Sequence, residues 1–348
     1  SRPGGRLAGQ GARPTKLCGI SPRGRATSLA PRTLFLVLFV SLCLNGEKAD
    51  LAFTAANDAA IDRIRATPNL TALDLSRAEI TDAGFERLQD LPAVEALNLY
   101  YAEFLTDAAL SHLRGWKHLR RLNLRGADIT DAGLAHVSNI ASLESLDISF
   151  TLITNVGLDH LARLPHLREL ALGGNKITGA GLHVLKSLPA LARLDLHGVQ
   201  RRNTESWSAS ITDFDLDLLA SLTALEDLHL GGARITDRGV AKLKALARLR
   251  ALDLSRTAVT GASLDALPRL ERLSLWKSGA TDSGLPRLAA LRSLRWLDLA
   301  DTAVTDRSLD HLRDLAPLRD LYLDGSRVTD AGVEQFRRAR PECRVHWK

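Results

Sequence analysis

The chain has 348 residues, of which 45% are hydrophobic, 25% charged and 5% aromatic. That apolar content excludes a disordered chain, and the length suits two or three ordinary domains or one extended one. The net charge of +6 belongs to the N-terminus: residues 1–33 hold seven basic residues and no acidic ones, and the remainder holds 39 basic against 40 acidic. A nucleic-acid binder should carry excess positive charge as a patch on its folded part, so no nucleic-acid partner is expected.

The first element is the apolar run TLFLVLFVSLCL, residues 33–44, directly after Arg32. A helix that spans a bilayer takes about 20 apolar residues. This run is too short for that and suits the core of a signal peptide behind a basic region. Residues 1–46 are therefore expected to be a basic leader with a signal-peptide-like segment, and no stable membrane span is expected. Cleavage near Gly46 would export the chain to the periplasm or the medium; uncleaved, it would stay in the cytoplasm. Cys18 and Cys43 lie in this leader, so a cleaved chain keeps Cys343 alone, with no disulfide and no cysteine-based metal spacing. Residues 47–66, with Ala59, Ile61 and Ile64 among Asp and Arg, read as an N-terminal capping helix.

From residue 67 an internal period dominates. Short Leu-x-Leu pairs begin at Leu73, Leu97, Leu122, Leu146, Leu170, Leu194, Leu228, Leu252, Leu273, Leu297 and Leu321, with steps of 24, 25, 24, 24, 24, 34, 24, 21, 24 and 24. The unit Leu119–Ile140 shows the pattern. Leu119, Leu122 and Leu124 open it, and the apolar–polar alternation around Leu122 and Leu124 marks a strand with one buried face. Ile129-Thr130-Asp131-Ala132-Gly133 follows, with Thr130 as a helix N-cap and Asp131 at the positive helix end. Leu134, Val137 and Ile140 then make an apolar stripe on a short helix. No unit can bury its apolar face alone, so the units must stack. Strands about 4.8 Å apart and wider helices bend the stack. The expected fold is a curved α/β solenoid with a parallel concave sheet and convex helices: eleven repeats over 67–332, an insertion at 200–209 and a C-terminal cap at 333–348.

The pattern L-x-x-L-x-L followed by I-T-D-x-G-L resembles leucine-rich repeat proteins, whose fold is a horseshoe-shaped solenoid. It is most similar to the bacterial class whose repeats read ITDAGL, and to the cysteine-containing repeats of F-box proteins, although no F-box precedes it. The usual corner Asn is replaced by Ala127, Thr151, Ala233, Thr257, Thr302 and Ser326, with Asn175 the exception, and the corner Cys is absent. The ending Arg338–Trp347 is similar to the closing cap of the bacterial class, which implies a structural role for Cys343 and Val345.

No catalytic constellation emerges, and neither an enzyme activity nor a cofactor nor a metal site is expected. His112, His136, His160, His183 and His311 recur at helix slots and read as convex-surface residues. Gly173–Gly174 and Gly231–Gly232 read as corners that need small residues. Asp74, Asp147, Asp195, Asp253 and Asp298 recur between the two leucines, with Asn98 and Asn123. This row reads as a consensus short polar position; a cation-attracting groove is the alternative, diluted by Ala171, His229, Ser274 and Tyr322.

The aromatic residues carry the functional signal. Of eight Trp and Tyr residues, Tyr100, Tyr101, Trp276, Trp296 and Tyr322 map to strand slots expected to be exposed or to their edge, joined by Phe150, Arg125, Lys277 and His229. Trp, Tyr and Arg dominate binding energy at interfaces. The insertion adds Trp207. These ten residues are the expected partner-binding set of a non-catalytic scaffold that recognises a protein or other macromolecule on its concave face. The alternative is a cytosolic substrate-recognition adaptor of a ubiquitin-ligase-like complex.

Overall fold

The apolar positions of each repeat form a single continuous core. The computed structural model describes residues 47–50, 57–89, 91–198 and 210–348. In the unit at 119–140, Leu119, Leu122, Leu124, Ile129, Leu134, Val137 and Ile140 are all buried, and their equivalents in the neighbouring repeats continue the same layer. Burial of one such leucine is worth about 2 kcal/mol, which no unit on its own could collect.

The strands are β1 (Glu47–Asp50), β2 (Leu70–Asp74), β3 (Ala96–Asn98), β4 (Arg121–Asn123), β5 (Ser145–Asp147), β6 (Glu169–Ala171) and β7 (Arg193–Asp195). They continue as β8 (Asp227–His229), β9 (Ala251–Asp253), β10 (Arg272–Ser274), β11 (Trp296–Asp298), β12 (Asp320–Tyr322) and β13 (Arg344–His346). All thirteen form one parallel sheet in sequence order. Leu73, Leu97, Leu122 and every later central leucine pair with one another, ending on Leu321 with Val345. Short helices such as Asp131–Val137 and Asp306–Leu312 return the chain behind the sheet. The architecture is the expected α/β solenoid, with the sheet as its concave layer and the helices as its convex one.

The ends differ from expectation. Residues 47–66 do not form one capping helix: Glu47–Asp50 is a strand paired parallel to β2, and among the described residues of this span helical turns occupy Asp58–Ala60 and Ile61–Arg65. A strand there satisfies backbone groups that β2 would otherwise leave open. At the other end β13 extends the sheet, Cys343 is buried in the core and Val345 packs against it. The buried Arg340 guanidinium donates to the carbonyls of Arg313, Leu315, Ala316 and Leu318, closing the last turn.

The Thr-Asp-x-Gly motif explains how neighbouring repeats are joined. Thr130 caps its helix as expected, accepting from the Ala132 N–H. Its own N–H and Oγ1 both donate to Asp107 of the preceding repeat, at 2.8 and 2.5 Å. The same pair of bonds links Thr81 to Asp58, Thr106 to Asp82, Thr154 to Asp131, Thr236 to Asp213, Thr260 to Asp237, Thr305 to Asp282 and Thr329 to Asp306. A Cβ on Gly157 would stand 2.2 Å from Asp131 Oδ1, so the motif's glycine leaves room for the carboxylate. Ala109 and Ser308 occupy the equivalent slot, and Ser308 turns its hydroxyl onto Asp282, so the slot opposite an aspartate takes a small residue; opposite Gly179 it holds Asp215.

The ladder is interrupted where the period is. Thr212 bonds Asp215 of its own repeat after the 34-residue step, and Thr281 faces Ser283 after the 21-residue step, where Gly261 replaces the aspartate. The shortened repeat also has room for only a three-residue 3-10 turn, Leu264–Ala266.

Candidate functional site

The site is built by the way each strand ends. Asp74, Asn98, Asn123, Asp147, Asp195, Asp253 and Asp298 each accept the backbone N–H two residues on, at 2.7–3.2 Å. This Asx geometry turns the chain out of the strand. The acidic row therefore has a structural job: it needs a short acceptor, and one oxygen of each side chain is committed to the backbone.

The turn places the third residue after it in the left-handed region. Gly174 and Gly232 occupy it freely at φ 75° and 81°, but Arg77, Tyr101, Phe150, Arg256, Lys277 and Asp301 also adopt φ of 50–56°. Such a conformation costs a side-chain-bearing residue about 1 kcal/mol. It is enforced by the next repeat, since the N–H groups of Tyr101, Phe150 and Arg256 donate to the carbonyls of Arg125, Gly173 and Trp276, each at 2.8 Å. Large side chains are thus held rigidly at the strand exits.

They assemble into two groups. Over β2–β5, Tyr100 and Tyr101 meet edge to face with centroids 4.7 Å apart, and the Arg77 guanidinium lies 5.7 Å from each ring. Arg125 stands 4.5 Å from the Phe150 centroid. Over β9–β13, Arg256 and Lys277 lie 4.7 and 4.9 Å from the Trp276 ring, whose indole N–H donates to Asp301 Oδ2 at 2.7 Å. Arg272 lies 5.6 Å from Trp296, which packs on Tyr322 at 5.3 Å; Tyr322 stacks on His346 at 4.1 Å with planes 5° apart. Tyr100, Tyr101, Arg125, Phe150, Trp276 and Trp296 are half-buried and Lys277 is exposed. A partner can reach these side chains without the surface first having to order itself.

Two of the ten expected residues depart from this picture. Tyr322 is 3% exposed because Trp296 and His346 pack on its ring, so it supports the group from beneath; burial raises its pKa. His229 is 4% exposed on β8, between the two groups, where it bonds Asp227 at 3.0 Å and approaches Asp253 at 3.5 Å. Burial opposes its charge, but the bonds to Asp227 and Asp253 and the nearby Asp195 overcome that and raise its pKa to about 9. Asp253 is buried too, yet the bond and charge of His229 and the Ser255 N–H lower its pKa. His229 is therefore an internal ion-pair member and not a contact residue. Trp207 lies outside the described residues.

Arg77, Arg256, Arg272, Asp301 and His346 complete the two groups and were not anticipated. Arg77, Arg256 and Asp301 occupy the same register slot as Tyr101, Phe150 and Lys277, so the slot was the available signal. The helix-slot histidines His112, His136, His160, His183 and His311 are half-buried or exposed, as expected. A Cβ on Gly173 would meet His197 O at 2.1 Å, and one on Gly232 would meet Gly198 O at 2.1 Å, so close backbone approach accounts for these glycines. Burial pushes the Cys343 thiol up to about 11, which leaves it unreactive. Among the described residues no group of three His, Cys, Asp or Glu could hold a metal ion, and no helix is long and apolar enough to cross a membrane.

Comparison with known proteins agrees with this fold. Two leucine-rich repeat family models match, one over residues 141–199 and one over 67–88, 117–136 and 221–244. No curated protein matches the chain. Among solved structures, an internalin of Listeria monocytogenes is similar at 21% identity with a TM-score of 0.58, covering 80% of each chain. A leucine-rich repeat protein of Leptospira interrogans is similar at 21% identity with a TM-score of 0.55, covering 80% of this chain and 72% of its own. The matched segments are leucine-rich repeats, and the solenoid they build is the fold of these solved leucine-rich repeat structures.

Proposed function

We propose that the chain is a non-catalytic scaffold that binds a protein partner on its concave face. The leucine-rich repeat fold is commonly such a scaffold, and the observation that carries the reading here is the pair of rigid aromatic–cation groups on the strands and at their exits. Six side chains in a backbone conformation that glycine would adopt freely mark a surface shaped for contact and not for stability alone. Tyr100, Tyr101 and Phe150 with Arg77 and Arg125 form one anchor, and Trp276, Lys277 and Trp296 with Arg256 and Arg272 form the other. Strands β6–β8 separate them, so the partner spans several repeats.

The partner is met outside the cytoplasm: the basic stretch and the short apolar run at 33–44 support export, and the bacterial origin of both similar structures fits that setting. The test is the double variant Tyr100→Ala/Trp276→Ala. Its melting curve should match the parent, while a partner captured by the parent is lost. Retained capture with a native melting curve would exclude this face as the binding surface.

A further inference from the structure

Beyond residue 33 the chain is near neutral, yet its charges are separated in space. The sheet is parallel throughout and its strands follow one another in order. All turns from helix into strand therefore line one edge, and all turns from strand into helix line the other. Around β9–β12 the helix-to-strand segments 242–250, 263–271, 287–295 and 311–319 hold ten Lys or Arg against three Asp or Glu. The strand-to-helix segments 253–262, 274–284, 298–308 and 322–332 hold four Lys or Arg against seven Asp. The cause lies in the repeat: each helix favours an anion at its start and a cation at its end, as with Asp237 and Lys242, and stacking multiplies the preference. A net charge near zero thus conceals the basic patch whose absence the sequence reading assumed.

Lys242, Arg250, Arg287 and Arg313 are paired with Asp217, Glu271, Asp265 and Asp310. Lys244, Arg248, Arg269, Arg292 and Arg295 are exposed and make no ion pair among the described residues. They sit at helix end, turn and strand entrance, so the charge covers an area and not a single line. The large exposed apolar side chains Phe104, Leu152, Val156 and Phe214 all lie on the opposite, strand-to-helix edge. The four basic segments themselves hold no Phe, Trp or Tyr for base stacking and no exposed large apolar side chain for insertion; the neighbouring Trp296 ring, at the start of β11, is engaged by Arg272 and Tyr322.

We propose that this edge docks on an anionic lipid bilayer by electrostatics alone. A flat anionic surface meets the whole two-dimensional array, where a nucleic-acid cylinder would meet a strip of it. The docked molecule would keep its concave face clear of the membrane plane for the protein partner, although the docking itself does not depend on that partner.

The test is co-sedimentation of the full chain with vesicles of phosphatidylcholine and phosphatidylglycerol, against pure phosphatidylcholine. Each cation near an anionic surface strengthens partitioning about fivefold. Arg248→Gln/Arg269→Gln/Arg292→Gln should weaken partitioning by about a hundredfold, while Arg234→Gln/Arg238→Gln on the opposite edge changes it little. Raising the salt from about 0.1 M to 1 M, which cuts the Debye length from about 10 Å to 3 Å, should narrow the gap between the triple variant and its parent. Because the leader carries its own cations, orientation is read separately by hydrogen exchange: vesicles should slow exchange in 242–250 and 287–295 and spare 253–262. Unchanged partitioning of the triple variant, or protection confined to other segments, overturns the proposal. So does a chain that ignores these vesicles while heparin or duplex DNA binds through the same three arginines.

Discussion

Removing Asp131 should show how much of the stability resides in the joints between repeats. Its carboxylate accepts the Thr154 N–H at 2.8 Å and the Thr154 hydroxyl at 2.6 Å. A hydrogen bond to a charged group contributes about 1.5–3 kcal/mol, and these bonds are only partly buried. Asp131→Ala should therefore cost about 2–3 kcal/mol. The protein supplies its own control, since Asn155 makes the equivalent pair with Thr178: Oδ1 accepts the N–H at 3.0 Å and Nδ2 donates to the hydroxyl at 2.8 Å. Asp131→Asn should then cost under about 1 kcal/mol. Urea unfolding with the m-value held fixed measures both. Because repeats interact chiefly with neighbours, hydrogen exchange in Asp131→Ala should quicken around 131–158 before elsewhere. A cost below about 0.5 kcal/mol for the alanine variant, or equal costs for both variants, would refute the ladder as the joint.

Other consequences are as specific. Asn175 is fully buried and bonds Thr151 through N–H and hydroxyl and the carbonyls of Ile148 and Leu172, so Asn175→Ala should cost about 3 kcal/mol or more in urea unfolding. His229 has a folded pKa of about 9 against 6.5 unfolded. Its contribution is fully present below pH 6.5 and is lost as the pH rises through 9, roughly 3 kcal/mol in all. His229→Gln should flatten the fall in stability between pH 6.5 and 9, and an unchanged slope would contradict the assigned ion pair. With its thiol buried and pushed up to about 11, Cys343 should resist a thiol-specific dye in the folded protein and react on unfolding.

The fold was legible because it is periodic: one strand, one corner and one helix, repeated, leave a single way to bury Leu122, Leu134 and Val137. What the period could not convey were relations between repeats. Asp131 looked like a helix-end charge, and its bond to Thr154 appears only when consecutive corners are stacked. The outward Asp row could be read as a groove, since its commitment to the backbone depends on turn geometry. Tyr322 and His229 occupy strand slots expected to be open, but His346 on β13, a strand outside the eleven repeats, covers one and flanking aspartates enclose the other. Arg77 and Arg256 are marked by no residue type, since what places them is the register of the left-handed turn slot.

The most direct measurement for the concave-face account is photo-crosslinking from single positions. A crosslinker at Tyr101 and another at Lys277 should trap the same partner, and one at His183 on the convex side should trap none. Crosslinks from His183 alone, with Tyr101 and Lys277 silent, would contradict the account.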